Sequence, residues 1–206
     1  MNVYVESNFV LELALQQEQS ASCESILSLC EAGGVCLVVP AFSLAEPHET
    51  LARRRIQRRD MKRVLDKELN QLARTATNTA QLRGFDGITD LLVSSAEQES
   101  HNLTKISSRL LSAAELIPLD ASVLGSASGY QSTHGFSPQD SIVYASIVSH
   151  LHGCHQRKSY FISKDSDFDD QDVVNELGRF GCALLHDFSR GLQFLKRDLS
   201  STVGPT

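Results

Sequence analysis

At 206 residues and a net charge of −6, the chain is long enough for one domain with a full core. It holds no run of about 18 apolar residues that could span a membrane and no stretch that reads as a secretory signal. Its five cysteines (Cys23, Cys30, Cys36, Cys154, Cys182) are scattered and never spaced CxxC, which excludes a disulfide framework as the reading and favours reduced thiols in a cytoplasmic setting.

In chain order, residues 2–5 predict a short strand, followed by a helix over 9–16 that Ser7 or Asn8 can cap. A second helix over 21–31 stops at Gly33-Gly34. Residues 35–39, closed by Pro40, are apolar throughout, as in a parallel-sheet strand covered on both faces. A helix over 41–50 carries Pro47, tolerable only near a first turn or at a kink. Residues 51–75 are long, charged and helical in pattern, until Gly84 and Gly87 break them. A helix over 97–114, a strand over 116–119, a short helix over 120–130 and a loop over 131–137 come next. Pro138-Gln139-Asp140 opens a helix apolar on more than one side, with Ser137 as its cap. A strand over 160–163, a helix near 173–180, a strand over 182–185 and a helix over 189–199 complete the pattern. Strands alternating with helices predict an α/β fold, a three-layer α/β/α sandwich on a mostly parallel sheet of about five strands. We expect a single domain over 1–199 with a helical excursion near 51–114, and a disordered tail over 200–206 that lacks apolar content.

The chemistry concentrates where Tyr160-Phe161-Ile162 runs into Asp165, Asp167, Asp169, Asp170 and Asp172. Five like charges in eight positions form either a solvated acidic turn leading into a helix, or a place built for a cation. A parallel sheet gathers all its strands' carboxyl ends on one edge, where open α/β sheets bind ligands. Glu6 ends the first strand, Asp165 follows the fourth, Glu46 lies in the helix after the second, and Asp140 opens the helix before the fourth. Singly, each has an ordinary reading: Glu6 and Asp140 as first-turn charges, Glu46 as a solvated helix residue, Asp165 as part of a charged turn. Together they make an oxygen-only set suited to magnesium or manganese, which can activate water and stabilise the leaving oxygen of a phosphodiester.

The order Val-Tyr-Val-Glu-Ser-Asn-Phe, Val-Pro-Ala-Phe-Ser-Leu-Ala-Glu, Ser-Pro-Gln-Asp-Ser-Ile-Val-Tyr-Ala and Phe-Ile-Ser-Lys-Asp-Ser-Asp-Phe resembles the PIN-domain nucleases, over roughly 1–50 and 115–190. The resemblance implies an α/β/α sandwich, Mg2+ or Mn2+ as cofactor, and metal-dependent endonuclease activity, in many members on single-stranded RNA and in some as bacterial toxin components. It puts Glu6, Glu46, Asp140 and Asp165 in the catalytic and metal-binding set, with Asp167 in support. Ser7, Asn8 and Ser163, beside these acids in the matching motifs, fall on the substrate side. Glu6 stands where the family has aspartate, and the extra methylene shifts a carboxylate by about a bond length, which metal distances feel. A catalytically weakened scaffold or regulatory nucleic-acid-binding module is therefore the alternative. The resemblance leaves a homodimer or an antitoxin-like protein partner open, and gives no reason to expect a membrane partner.

Rival signals are weaker. Asp165, Asp167, Asp169 and Glu176 fit positions of a calcium hand, but Asp170 stands where its sharp turn needs glycine. His150, His152, Cys154 and His155 crowd one helix end without a second ligand pair at a zinc spacing. No Gly-x-Ser-x-Gly elbow, phosphate loop or dinucleotide fingerprint occurs, and no lysine follows the fifth strand as a receiver-type signalling domain would need. Arg53 to Arg63 holds six arginines and Lys62 against one aspartate. Arg55, Arg59 and Arg63 fall along one side of a helix, either a solvated face or a track for an RNA backbone.

Overall fold

Val3 and Val5 face one side of the sheet and Tyr4 the other; Leu37 and Val39 oppose Val38, and Tyr160 and Ile162 oppose Phe161. Both sets are buried, so each strand has a covered layer above and below, as its all-apolar composition demands. The computed structural model describes residues 1–75, 77, 82, 85, 87–154 and 158–202, which leaves Gly84, His155 and the tail beyond 202 outside. Within it, strands β1 (Asn2–Val5), β2 (Cys36–Pro40), β3 (Glu115–Ile117), β4 (Ser159–Ile162) and β5 (Cys182–Leu185) form one parallel sheet in the order β3-β2-β1-β4-β5. The chain winds outward from β1 through β2 to β3, then returns to β4 on β1's other side. Adjacent β1 and β4 thus flank the switch point where a doubly wound sheet opens a crevice.

One layer holds helices α1 (Ser7–Leu15) and α2 (Ser20–Glu31), joined by parts of α3 (Ala41–Leu72), α4 (Ile88–Ala113) and α8 (Phe188–Thr202). The opposite layer holds α6 (Pro138–Gly153) and α7 (Gln171–Arg179) against Tyr4, Val38 and Phe161, with α5 (Ala121–His134) packed on the outside of α6 through Val123, Ala127 and Ala145. Close approach at one point depends on glycine: a Cβ on Gly191 of α8 would stand 2.6 Å from Ile162 Cδ1. An ion pair between exposed Lys164 and buried Glu12 ties the exit of β4 to α1, with Lys164 Nζ 2.5 Å from Glu12 Oε1 while Glu12 Oε2 accepts the Gln19 N–H at 2.9 Å.

Several elements differ from the sequence expectation for local reasons. The expected helix over 41–50 and the charged stretch after it are one continuous helix, α3, of 32 residues. No glycine interrupts it near Leu51, and its Arg, Lys, Glu and Leu favour helix. Pro47 sits inside this helix, past its first turn, where it removes one backbone hydrogen bond. Helix α4 begins at Ile88 rather than near 97, and β3 ends at Ile117, before Pro118, which has no N–H to continue a ladder. Helix α5 runs on to His134 because Gly135, at φ 69°, supplies the left-handed stop that the polar 131–134 stretch does not. Helix α8 continues through Ser200 and Ser201 to Thr202.

The helical excursion is a hairpin. On α3 no residue after Leu51 is buried, and the helix packs instead along α4. Arg58 Nη1 reaches Glu99 at 2.9 Å and Ser95 at 3.1 Å, while Lys62 Nζ reaches Asp90 at 2.9 Å. Higher numbers on α3 meet lower numbers on α4, so the two helices are antiparallel. Part of the basic run is thereby spent on holding the hairpin together.

Candidate active site at the carboxyl edge of the sheet

Glu6 is the residue at which β1 becomes α1. Its extended backbone makes it the cap of α1, a role expected of Ser7 or Asn8, and its Oε2 accepts the Asn8 N–H at 2.6 Å. Its Oε1 accepts from Ser163 Oγ at 3.1 Å, and Ser163 Oγ in turn accepts the Asp165 N–H at 3.0 Å. Ser163 thus bridges the ends of β1 and β4 at the switch point. The Glu6 residue is only 5% exposed. Burial pushes its carboxyl up to about 8, against the two hydrogen bonds, with the charges of Asp165 and Glu46 adding to the rise.

Asp140 lies in the first turn of α6. Ser137 caps that helix by accepting the Asp140 N–H at 3.1 Å and donates its own hydroxyl to the Asp140 carboxylate. Burial raises the Asp140 carboxyl above its ordinary value, and Asp165, Asp167 and Glu46 add to it against the Ser137 hydrogen bond. Glu46, in the second turn of α3, accepts the hydroxyl of Ser7. Asp165 caps a 3-10 turn over Ser166–Asp169 by accepting the Asp167 N–H at 3.0 Å. That turn is anchored by Phe168, buried against Phe136, Tyr144 and Phe161.

The acidic run after β4 therefore divides between its two readings. The charge of Asp165 is felt at Glu6 and Asp140, and that of Asp167 at Asp140. Asp169 instead pairs with His186 at 2.6 Å, Asp170 caps α7 by accepting the Asp172 N–H, and Asp172 lies in that helix's first turn. The histidine cluster sits at the other end of α6: His150 bonds the Tyr4 hydroxyl at 2.9 Å and Glu115 at 3.2 Å, and His152 packs edge-on against Phe180.

Glu6 thus feels the charges of Asp165 and Glu46, and Asp140 those of Asp165, Asp167 and Glu46, which come from separate segments of the chain. The donors are all oxygen, which suits a hard divalent cation, and such a cation would offset the raised proton affinity of Glu6 and Asp140. In this conformation no three His, Cys, Asp or Glu side chains among the described residues are close enough to enclose a metal ion. Glu46 and Asp140 are each turned onto a serine hydroxyl instead.

The arginines do not all join this edge. At about 100° per residue, Arg55 and Arg59 are roughly on the opposite side of α3 from Glu46. They line a groove of about 400 Å³ against Ser100, Leu103 and Thr104 of α4. No site carboxylate borders this groove. Arg63 is exposed and pairs with Asp60 at 3.3 Å. The groove that borders Glu46 holds about 200 Å³, between α3 and the start of α6, with Arg53 and Gln139 also in its wall. Arg53 is seven residues after Glu46, on the same face of α3. That spacing was present in the sequence, and the density of neighbouring arginines obscured it.

A family model for the PIN domain matches residues 3–168. Among curated proteins the comparison returns no match. No helix among the described residues is long and apolar enough to cross a membrane. The family match takes in β1 through the Asp165 turn, and with it all four converging carboxylates, on a five-stranded parallel α/β/α sandwich; the chain belongs to the PIN-domain family, a nuclease-type fold.

Proposed function

We propose that the protein is a divalent-metal-dependent endonuclease acting on single-stranded RNA, with the site at the carboxyl edge of the sheet. The observation that carries this reading is the convergence of Glu6, Glu46, Asp140 and Asp165 at the switch point of a PIN-domain fold. Glu6, Asp140 and Asp165 would hold Mg2+ or Mn2+, with Glu46 and Asp167 completing the acidic surround. Such a cation, when bound, supplies polarisation of the phosphodiester and a more acidic water.

The chain's own residues do the positioning. Ser163 fixes Glu6 relative to Asp165, Ser7 holds Glu46 towards β1's end, and the buried Phe168 fixes the Asp165 turn. Asn8 and Ser163 engage both Glu6 oxygens and so hold its carboxyl at the end of β1, where burial raises its proton affinity when no cation is bound. Restriction to RNA and a toxin-type role rest on the family resemblance alone.

A second reading, a nucleic-acid-binding module with little catalysis, draws on the tight engagement of Glu6 by Asn8 and Ser163 where the family has a shorter acid. Both readings meet in one assay: cleavage of labelled single-stranded RNA, single-stranded DNA and duplex RNA with manganese, magnesium or EDTA. The nuclease reading expects metal-dependent cutting of the single-stranded RNA that Asp140→Asn removes. Binding without cutting in any metal would favour the module.

A further inference from the structure

The groove of about 200 Å³ beside Glu46 holds an unusual combination for an acidic edge: an aromatic ring, an unengaged cation and neutral hydrogen-bonding groups. Phe42 and Ile142 supply its apolar lining, Thr50 and Gln139 its neutral polar groups, and Arg53 its positive charge. Arg53 is exposed and makes no hydrogen bond or ion pair with any described residue, although Glu49 precedes it by one helical turn in the same groove. Arg58, Lys62 and Arg63 are paired elsewhere, and of the run's arginines Arg53 is the one that lines this groove. The groove meets the carboxylate set at Glu46, and Gln139 in its wall is the residue before Asp140 in the chain.

Glu46 and Arg53 are separated by about 10 Å along α3, at 1.5 Å per residue. That span places a phosphate held by Arg53 within one or two nucleotide units of the acids, along a groove of about 200 Å³. A cavity of this size is below that of a drug-sized pocket and fits a single planar base. An aromatic ring beside a cation is the pairing by which proteins hold single-stranded nucleic acid, the ring taking a base face and the cation a phosphate.

We infer that this groove is the subsite for the nucleotide adjoining the scissile phosphate: its base lies against Phe42, with Gln139 and Thr50 at the base edge, and its outer phosphate on Arg53. The inference deepens the nuclease reading and rests on it for the word "scissile". It makes Arg53 and Gln139 positioning residues, neither of which belongs to the carboxylate set. Both are exposed, so their replacement leaves the fold intact.

The test has two arms, on the full chain with Arg53→Ala and Gln139→Ala. In the first, kcat/KM is measured with manganese on a single-stranded RNA and on the same RNA made abasic on one side of the cut, then the other. Loss of the base on one side should lower wild-type kcat/KM by roughly tenfold or more, the range of base stacking on an aromatic ring. Gln139→Ala should lower kcat/KM on the intact RNA and show a smaller abasic penalty, because the two losses share one contact. Arg53→Ala should raise KM and flatten the salt dependence of binding by about one unit of slope. In the second arm, without metal, the four ribonucleoside 5′-monophosphates are titrated and followed by NMR at the Thr50 and Gln139 amides, with roughly tenfold weakening expected in Arg53→Ala.

If RNA is cut but neither abasic position nor either variant changes kcat/KM, the subsite is wrong and the nuclease reading survives. If RNA is not cut but mononucleotides bind at these amides and depend on Arg53, the nuclease reading fails and the nucleotide site survives. Neither cutting nor binding overturns both.

Discussion

Replacing Glu6 by Gln should make the metal-free protein more stable at pH 8 and leave it nearly unchanged at pH 4.5. The carboxyl is raised from an ordinary 4.5 to about 8, chiefly by burial. Below pH 4.5 it is protonated in the folded and the unfolded chain alike and contributes no difference. Between 4.5 and 8 the unfolded chain releases the proton first, so the unfolded state is favoured and wild-type stability falls as pH rises. Above 8 the loss is complete. At about 1.4 kcal/mol per unit, the full difference is roughly 3–5 kcal/mol. Glutamine can keep both contacts of the native side chain: its oxygen accepts the Asn8 N–H, and its amide donates to Ser163 Oγ in reverse of the present bond. Urea unfolding of both proteins in EDTA at several pH values gives the difference directly, and other titrating groups cancel between the two. A stability difference that stays flat from pH 5 to 8, or a wild type that gains on the variant across that window, would refute the account of a buried, crowded carboxyl.

Three further outcomes follow from other parts of the molecule. Asp140→Asn should abolish RNA cleavage while leaving the unfolding midpoint unchanged or raised, since a like charge leaves a crowded site; a joint loss of stability and activity would mark Asp140 as a helix-start residue only. Lys164→Met should cost roughly 2–4 kcal/mol in chemical unfolding by leaving Glu12 buried with only the Gln19 N–H, and Glu12→Gln in the same chain should recover most of it. Gly191→Ala should lose about 1–2 kcal/mol, overpacking against Ile162 outweighing the better helix propensity of alanine, and Ile162→Val should relieve part of that loss.

The sheet was legible because its strands are short apolar runs with clear ends: β1 and β5 fall where residues 2–5 and 182–185 predict them. The expectation that the four acids share one edge has a topological basis, since carboxyl ends of parallel strands must lie together. What the sequence could not show was which polar group does what beside them. Ser137 and Ser163 each hold two groups of the site through contacts that depend on chain direction at a turn, which periodicity does not encode. The continuity of α3 was hidden by Pro47, and once 41–72 is a single helix, angular position relative to Glu46 separates Arg53 from Arg55 and Arg59. Phe168 explains why the aspartate run is more than a solvated turn: one buried ring in its middle fixes Asp165 and leaves the later aspartates to α7 and His186.

The central claim, that Glu6, Asp140 and Asp165 form a metal site, is tested most directly by anomalous diffraction from a crystal soaked in manganese. The account predicts an anomalous peak at the carboxyl edge, with oxygens of these three residues at about 2.1–2.3 Å and the Glu46 or Asp140 side chain turned away from its serine. No peak at that edge at millimolar manganese, or one confined to the His150 and Glu115 end of the sheet, would contradict it.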